Sequence, residues 1–482
     1  MLTLWNSKSG GSQIGSSETV TILDSDAANT QTLAFEPVVN NLTAGGLLYG
    51  NAVRATVRLT NPSTENSYVG HVNCSLRIYD SASDEAGNYA DAHVIKKNIV
   101  IPKSASAEDL SSVDVTFAYD QLDPSKFYRL RFSYLQGSST ASGPIVSSAN
   151  EEAFAMGEGY ALYSQDGAVS ISEKTATVDA GTSACVDLRG ITSFKDIDIT
   201  PSSNPNCLYL LATGAEVPSA LSGRNVVRGT SAADLTATTL ALQDDYDFYT
   251  PLSFTATSVS YTRTFTLAAN GTSGWNTILL PFDVSNIRCE GVGDVDWFHS
   301  SSDTGKNFWV RNFTADGPGT VIFDYADAMT ANTPYIIAVP DDRWGSAWQM
   351  TGRTVTFSGN SAEIKPTAEC SIGGNNFKFS GSTAGSSQKD VYLLNAEGSS
   401  FVLADASTPV PAFRAWFTPV EISALTRPSL AIGSPETTGI NSTATITEQS
   451  AGQWFDLSGR KLNSAPMKPG CYINNGKKIV IQ

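Results

Sequence analysis

Proton transfer near neutral pH draws first on histidine, and this sequence holds three, His71, His93 and His299. His71 follows Tyr68-Val69-Gly70 at a strand start and His93 sits beside a predicted strand, so both read as structural or solvent-exposed. His299 closes Asp294-Val295-Asp296-Trp297-Phe298-His299, with two carboxylates and two aromatics near it. Strand alternation places Asp294, Asp296 and Phe298 on one face and His299 on the other, which argues against a joint site. A serine hydrolase needs Gly-x-Ser-x-Gly between strand and helix, and the sequence has neither that elbow nor a long helical stretch to carry it. A glycosidase needs two carboxylates across a cleft, a requirement of space that the abundant Asp neither meets nor excludes. The expectation is therefore a chain without a catalytic site of its own.

Two clusters bear on binding. Asp244-Asp245-Tyr246-Asp247 groups hard oxygen ligands as a structural calcium loop would, although EF-hand spacing and its glycine are missing, and an acidic turn is the competing reading. Calcium there is the one cofactor the sequence brings into view. Asp341-Asp342-Arg343-Trp344-Gly345-Ser346-Ala347-Trp348 reads as a loop after Pro340. Sugar rings stack on flat side chains while neighbouring carboxylates accept their hydroxyls, so Trp344, Trp348, Asp341 and Asp342 are candidate ligand-binding residues. The alternative is one Trp capping the core and the other incidental. Trp275, Phe282, Phe413 and Trp416 sit in strand-like runs and are assigned to the core.

The elements that would position these residues are strands. Val53-Arg54-Ala55-Thr56-Val57-Arg58-Leu59-Thr60 alternates with the two-residue period of a half-buried sheet, as do Val113, Val115, Phe117, Tyr119 and, after Asp123-Pro124-Ser125, Tyr128, Leu130, Phe132, Tyr134. With residues 73–79 and 94–101 they have the spacing of an Ig-like β-sandwich. Short strands and frequent turns follow, including Asn204-Pro205-Asn206 and Leu208-Tyr209-Leu210-Leu211, which suit a small β-meander or a rung of a β-solenoid. A further sandwich or jelly roll opens with Tyr261-Thr262-Arg263-Thr264-Phe265-Thr266-Leu267 and carries all but two of the eight Trp. The predicted class is all-β and multidomain: a linker over 1–30, an Ig-like sandwich over 31–138, a small β-rich domain over 155–254, a sandwich or jelly roll over 255–432, and a C-terminal β module over 436–482.

Composition limits the partners. The formal net charge of −16 presents a repulsive field to nucleic acid. No stretch approaches 18 uninterrupted apolar residues, so no transmembrane segment is predicted. Met1 to Trp5 runs into polar residues without a signal peptide's apolar region, and a leader, if the parent protein is exported, is expected upstream. The cysteines, Cys74, Cys185, Cys207, Cys289, Cys370 and Cys471, form no CxxC pair; their even number permits three disulfides, but buried free thiols are the adopted reading.

The tail reverses the charge, with five Lys or Arg (Arg460, Lys461, Lys468, Lys477, Lys478) against three acids (Glu436, Glu448, Asp456). Its Asp456-Leu457-Ser458-Gly459-Arg460-Lys461, Lys468-Pro469-Gly470 and Tyr472-Ile473-Asn474-Asn475-Gly476-Lys477-Lys478-Ile479 resemble the C-terminal sorting segment of Bacteroidetes type IX secretion substrates. Asp456, Gly459, Arg460, Gly470, Tyr472, Gly476 and Lys477 carry that resemblance, and Cys471 departs from it where the family usually has an apolar residue. Trp275-Asn276-Thr277, Leu280-Pro281-Phe282-Asp283, residues 331–337 and residues 411–417 are similar to a β-rich region of Bacteroidetes surface proteins, among them BspA-like adhesins and some secreted peptidases and glycosidases. The chain has no leucine-rich repeat and no peptidase core. The resemblance implies a secreted or outer-surface protein of a Gram-negative bacterium: an adhesion or display protein whose partner is a host or microbial surface protein or glycan, or alternatively the carbohydrate-binding accessory region of a secreted hydrolase.

Overall fold

Alternating apolar and polar residues put one face of a strand into a core and leave the other to solvent, and in this chain that pattern builds sheets throughout. The computed structural model describes residues 31–482 apart from 44–46, 51, 82–87, 121, 137–138, 147–152, 231–233, 318, 422–426, 435–453, 457–460, 463–469, 475–476 and 482. Among the described residues no helix is long and apolar enough to cross a membrane.

The first unit comprises β1 (Ala34–Val39), β2 (Leu47–Tyr49), β3 (Val53–Asn61), β4 (Tyr68–Tyr79), β5 (Asn88–Ile101), β6 (Ser111–Tyr119), β7 (Phe127–Gln136) and β8 (Ser139–Val146). A sheet in the order β1-β3-β6 faces one in the order β5-β4-β7-β8, the division of strands in an Ig-like sandwich. Val53, Ala55, Val57 and Leu59 from one sheet meet Val72, Cys74, Leu76, Leu130 and Phe132 from the other in a single core. Tyr128, at the start of β7, donates its hydroxyl back to the carbonyl of Asp123 at 2.9 Å and so fixes the corner between the sheets.

The second stretch begins with β9 (Ala155–Gly157), which pairs in parallel with β2, and continues through β10 (Gly159–Tyr163), β11 (Val169–Glu173), β12 (Thr177–Asp179), β13 (Cys185–Asp187), β14 (Asp198–Thr200), β15 (Leu208–Leu211), β16 (Asn225–Arg228), β17 (Thr236–Gln243) and β18 (Phe254–Thr264). Its central strands are parallel: β12 with β14, and β13 with β15 and then β16, as in a short solenoid. β13 and β15 are buried at every position, because Cys185, Leu208 and Leu210 feed one core while Val186, Cys207, Tyr209 and Leu211 feed another. Asn206 closes the edge of this stack, donating to the carbonyls of Gln243 and Tyr246 and accepting from the Gln243 amide.

The remainder supplies β19 (Asn276–Leu279), β20 (Asn286–Cys289), β21 (Gly293–Val295), β22 (Trp297–Phe298), β23 (Phe308–Gly317), β24 (Thr320–Tyr325), β25 (Pro334–Ala338), β26 (Thr354–Ile364), β27 (Cys370–Gly373), β28 (Phe377–Ser382), β29 (Ser386–Gln388), β30 (Val391–Leu394), β31 (Ser400–Ala404), β32 (Thr408–Val410), β33 (Arg414–Pro419) and β34 (Ser429–Gly433). The position expected to separate two domains, 254/255, falls inside a continuous sheet. That sheet runs β11-β10-β13-β15-β16-β17-β18-β26-β20-β21, and one core passes through the boundary from Ala161 to Phe413. The reason is the pairing of β18 along its length with β17 on one side and β26 on the other. A second, curled sheet runs from β19 through β25, β23, β24, β34, β31, β30, β33 and β28 to β27. Its β19, β23 and β25 face the shared core through Ile278, Phe308, Val310 and Ile337. On the opposite side of the curl, Phe313, Phe323, Phe377, Phe379, Phe401 and Phe417 pack edge-to-face and stacked, filling the interior with rings.

The tail contributes β35 (Trp454–Asp456), β36 (Lys461–Leu462), β37 (Gly470–Asn474) and β38 (Lys477–Ile481), an antiparallel sheet in the order β36-β35-β37-β38.

Candidate binding site

Trp344 lies in a short 3₁₀ turn, Asp342–Trp344, whose N-cap Asp341 accepts from the Arg343 amide. The same carboxylate takes Arg343 Nε at 2.7 Å, so Asp341 holds its own loop together. Asp342 is exposed. Trp344 is 54% exposed and meets Trp309 edge-on with ring centroids 5.2 Å apart. Trp309 stacks on Phe298 at 5.4 Å and 18°. Among the described residues no ring contact joins Trp344 to Trp348, which is half-buried and donates its amide to the Gly345 carbonyl. The aromatic surface is thus Phe298, Trp309 and Trp344 rather than the expected pair. Phe298 and Trp309 are neighbours because β22 runs parallel to β23 with Phe298 opposite Trp309, a register no local pattern announces.

His299 and Asp296 come together, contrary to the alternation argument. The strand β22 ends at Phe298, and beyond it the chain bends, so the two-residue period no longer applies at His299. His299 Nε2 lies 3.6 Å from Asp296 Oδ1, its Nδ1 lies 3.2 Å from the Ala326 carbonyl, and Lys306 binds the other Asp296 oxygen. Whichever ring nitrogen lacks the proton keeps its lone pair, and the 3.6 Å approach of Nε2 to Asp296 is longer than a hydrogen bond. Asp296 is desolvated, which would raise its pKa, but the Lys306 ammonium and the Trp297 amide hold it below the usual carboxylate range. His71 and His93 lie on β4 and β5. Burial, together with Lys96, pushes the His71 imidazole down.

The candidate calcium loop is corrected by the structure. Asp244 and Asp245 converge on Arg414 in place of a cation, and Asp247 turns away to the Gly385 amide. Asp244 points inward and binds Arg414 through both oxygens at 2.7 and 2.9 Å, with Arg263 Nε at 3.3 Å and the Tyr261 hydroxyl donating at 2.5 Å. Asp245 is exposed and lies 3.2 Å from Arg414 Nη2. Asp247 accepts from the Gly385 amide. Guanidinium groups occupy the space a cation would need, and among the described residues no three His, Cys, Asp or Glu side chains are grouped to hold a metal ion. Burial would raise the Asp244 pKa, and the two guanidinium groups pull it below the usual range. Arg414 is placed for this by Phe413, whose left-handed φ of 60° is a strained conformation for a bulky residue.

Beside this cluster a cleft of about 310 Å³ opens between β18, β19, β30 and β33, lined by both arginines, Trp275 and a mixture of polar and apolar side chains. A second, of about 230 Å³, lies between the first sandwich and Val169 and Ile171. No carboxylate lines either cleft. Of the residues that carry the sorting resemblance, Asp456 falls in β35, Gly470 and Tyr472 in β37 and Lys477 in β38, while Gly459, Arg460 and Gly476 lie outside the described residues.

No family model matches the chain, and no curated protein does. Among solved structures, a cycloisomaltooligosaccharide glucanotransferase from Paenibacillus sp. in complex with cycloisomaltoheptaose aligns over 68% of this chain and 72% of its own at 9% identity and a TM-score of 0.14. That score is below what a shared fold requires.

Proposed function

We propose that this chain is a non-catalytic adhesion or display segment of a secreted or surface protein of a Gram-negative bacterium, and that it engages its ligand through Phe298, Trp309 and Trp344. The observation that carries this reading is the exposed Trp344 set against the stacked Trp309 and Phe298, an apolar surface flanked by the polar loop Asp341–Gly345. Aromatic anchors of this kind give large contact area with little side-chain entropy to lose. A second reading, a carbohydrate-binding accessory region of a secreted hydrolase, draws on the same surface, because stacked flat rings suit the faces of sugars.

Screening the protein on a glycan array beside Trp344→Ala tests both. Trp344 is exposed, so the variant should keep its stability within about 0.5 kcal/mol, and loss of glycan binding by the variant supports the carbohydrate reading. Binding to surface proteins in place of glycans, lost in the same variant, supports adhesion through the patch. Binding that survives Trp344→Ala and Trp309→Ala removes the patch from the account.

A further inference from the structure

We propose that the cleft between β18, β19, β30 and β33 is a binding site for a small monocarboxylate, with Arg263 and Arg414 as its anion-recognising groups. This site is separate from the aromatic surface and does not depend on it. The argument begins with charge. Arg263 and Arg414 are 7% and 15% exposed, and the buried carboxylate between them, Asp244, is 13% exposed. Two buried cations therefore share one buried anion, an excess of one positive charge where desolvation makes an uncompensated charge costly. The group that completes the balance is Asp245, which is 73% exposed and reaches only Arg414 Nη2, at 3.2 Å.

The donors have room for more. Arg263 gives Nη1 to the Thr277 carbonyl and Nη2 to Asn276 Oδ1, and each of these nitrogens carries a second N–H with no acceptor among the described residues. Arg414 uses both Nη atoms on Asp244, Asp245 and the Ala412 carbonyl, while its Nε has no acceptor among the described residues. Both side chains line a cleft of about 310 Å³, the lower end of the range for small-molecule sites. The excess of one charge selects a monoanion over a phosphate dianion, and the remaining guanidinium N–H groups can give a carboxylate single charge-assisted hydrogen bonds. The other walls mix Trp275, Leu393 and Val410 with Thr266, Asn276 and Asn395, so the carboxylate should be attached to a compact carbon skeleton with one apolar or ring face and room for hydroxyl groups on the other. An acidic sugar and a simple organic acid share this chemistry.

Titration of the whole chain with galacturonate, galactose and benzoate, followed by calorimetry or ligand-observed NMR, separates the sources. Saturable binding of galacturonate but not galactose supports an acidic sugar, and saturable binding of benzoate supports an organic acid. Asp245→Asn removes the surface competitor for Arg414 without disturbing a buried group and should tighten either ligand by roughly three- to tenfold. Arg414→Gln should abolish binding, and the Asp245→Asn result stands on its own if that variant fails to fold. Absence of saturable binding by both acids to wild type and Asp245→Asn overturns the proposal, as does equal binding of galactose and galacturonate.

Discussion

Replacing Asp244 by alanine tests what the charge cluster contributes to the fold. The substitution leaves Arg263 and Arg414 facing one another with no buried carboxylate and strips the Tyr261 hydroxyl of its acceptor. Breaking a buried ion pair by removing one partner costs about 3–5 kcal/mol, mostly through the charge left behind. At about 2 °C per kcal/mol for a cooperative unit of this size, the thermal transition of the unit containing the two large sheets should fall by roughly 6–10 °C. Scanning calorimetry reads this, with Asp245→Asn as the control: that exposed side chain should change stability by no more than about 0.5 kcal/mol. The sign of the coupling is the sharper measurement. Adding Arg414→Met to Asp244→Ala removes one of the two stranded charges, so the double variant should be about 1–2 kcal/mol more stable than additivity allows. A loss below about 1 kcal/mol for Asp244→Ala, or full additivity in the double variant, would refute the charge argument and leave the cluster as ordinary surface-grade pairing.

Three further outcomes follow from the geometry. Tyr128→Phe deletes the hydroxyl bond to Asp123 and should destabilise the first sandwich by about 1 kcal/mol in urea unfolding; no change would mean that packing of the ring alone holds the corner. Cys185 and Cys207 are close in sequence register, since Cys185 lies opposite Leu208, yet their side chains enter opposite cores. They should not bridge under oxidation, and burial, which pushes the Cys207 thiol up to about 12, should leave Cys370 to be alkylated before either, as timed by mass spectrometry. Glu158 is partly desolvated, which would raise its pKa, but Lys174 and Thr192 donate to it and hold it at about 2 against an ordinary value of 4.5. A depressed carboxylate stabilises the fold above its unfolded pKa and loses that contribution as pH falls through the folded one, so Glu158→Gln should shrink the acid destabilisation between about pH 4.5 and about pH 2. Equal acid sensitivity in the variant would place that effect in other carboxylates.

The sequence by itself determined the class of fold and the alternation that builds it. Val53 to Leu59 and Tyr128 to Tyr134 could be assigned to strands with one buried face because the side-chain period of a strand is local. It also marked residues 341–348 as a loop after Pro340, while the exposure of Trp344 was decided by the structure. Which residues meet was decided by tertiary structure. Asp244 and Arg414 are 170 positions apart, and their pairing turned a candidate calcium loop into the anion of an arginine pair. The parallel register that sets Phe298 beside Trp309, and the pairing of β18 on both sides that carries one sheet through position 254, are long-range choices as well. A two-residue period fixes which way a side chain points but carries no information about the strand it will lie against, and the contacts on which the proposed sites rest reside in those pairings.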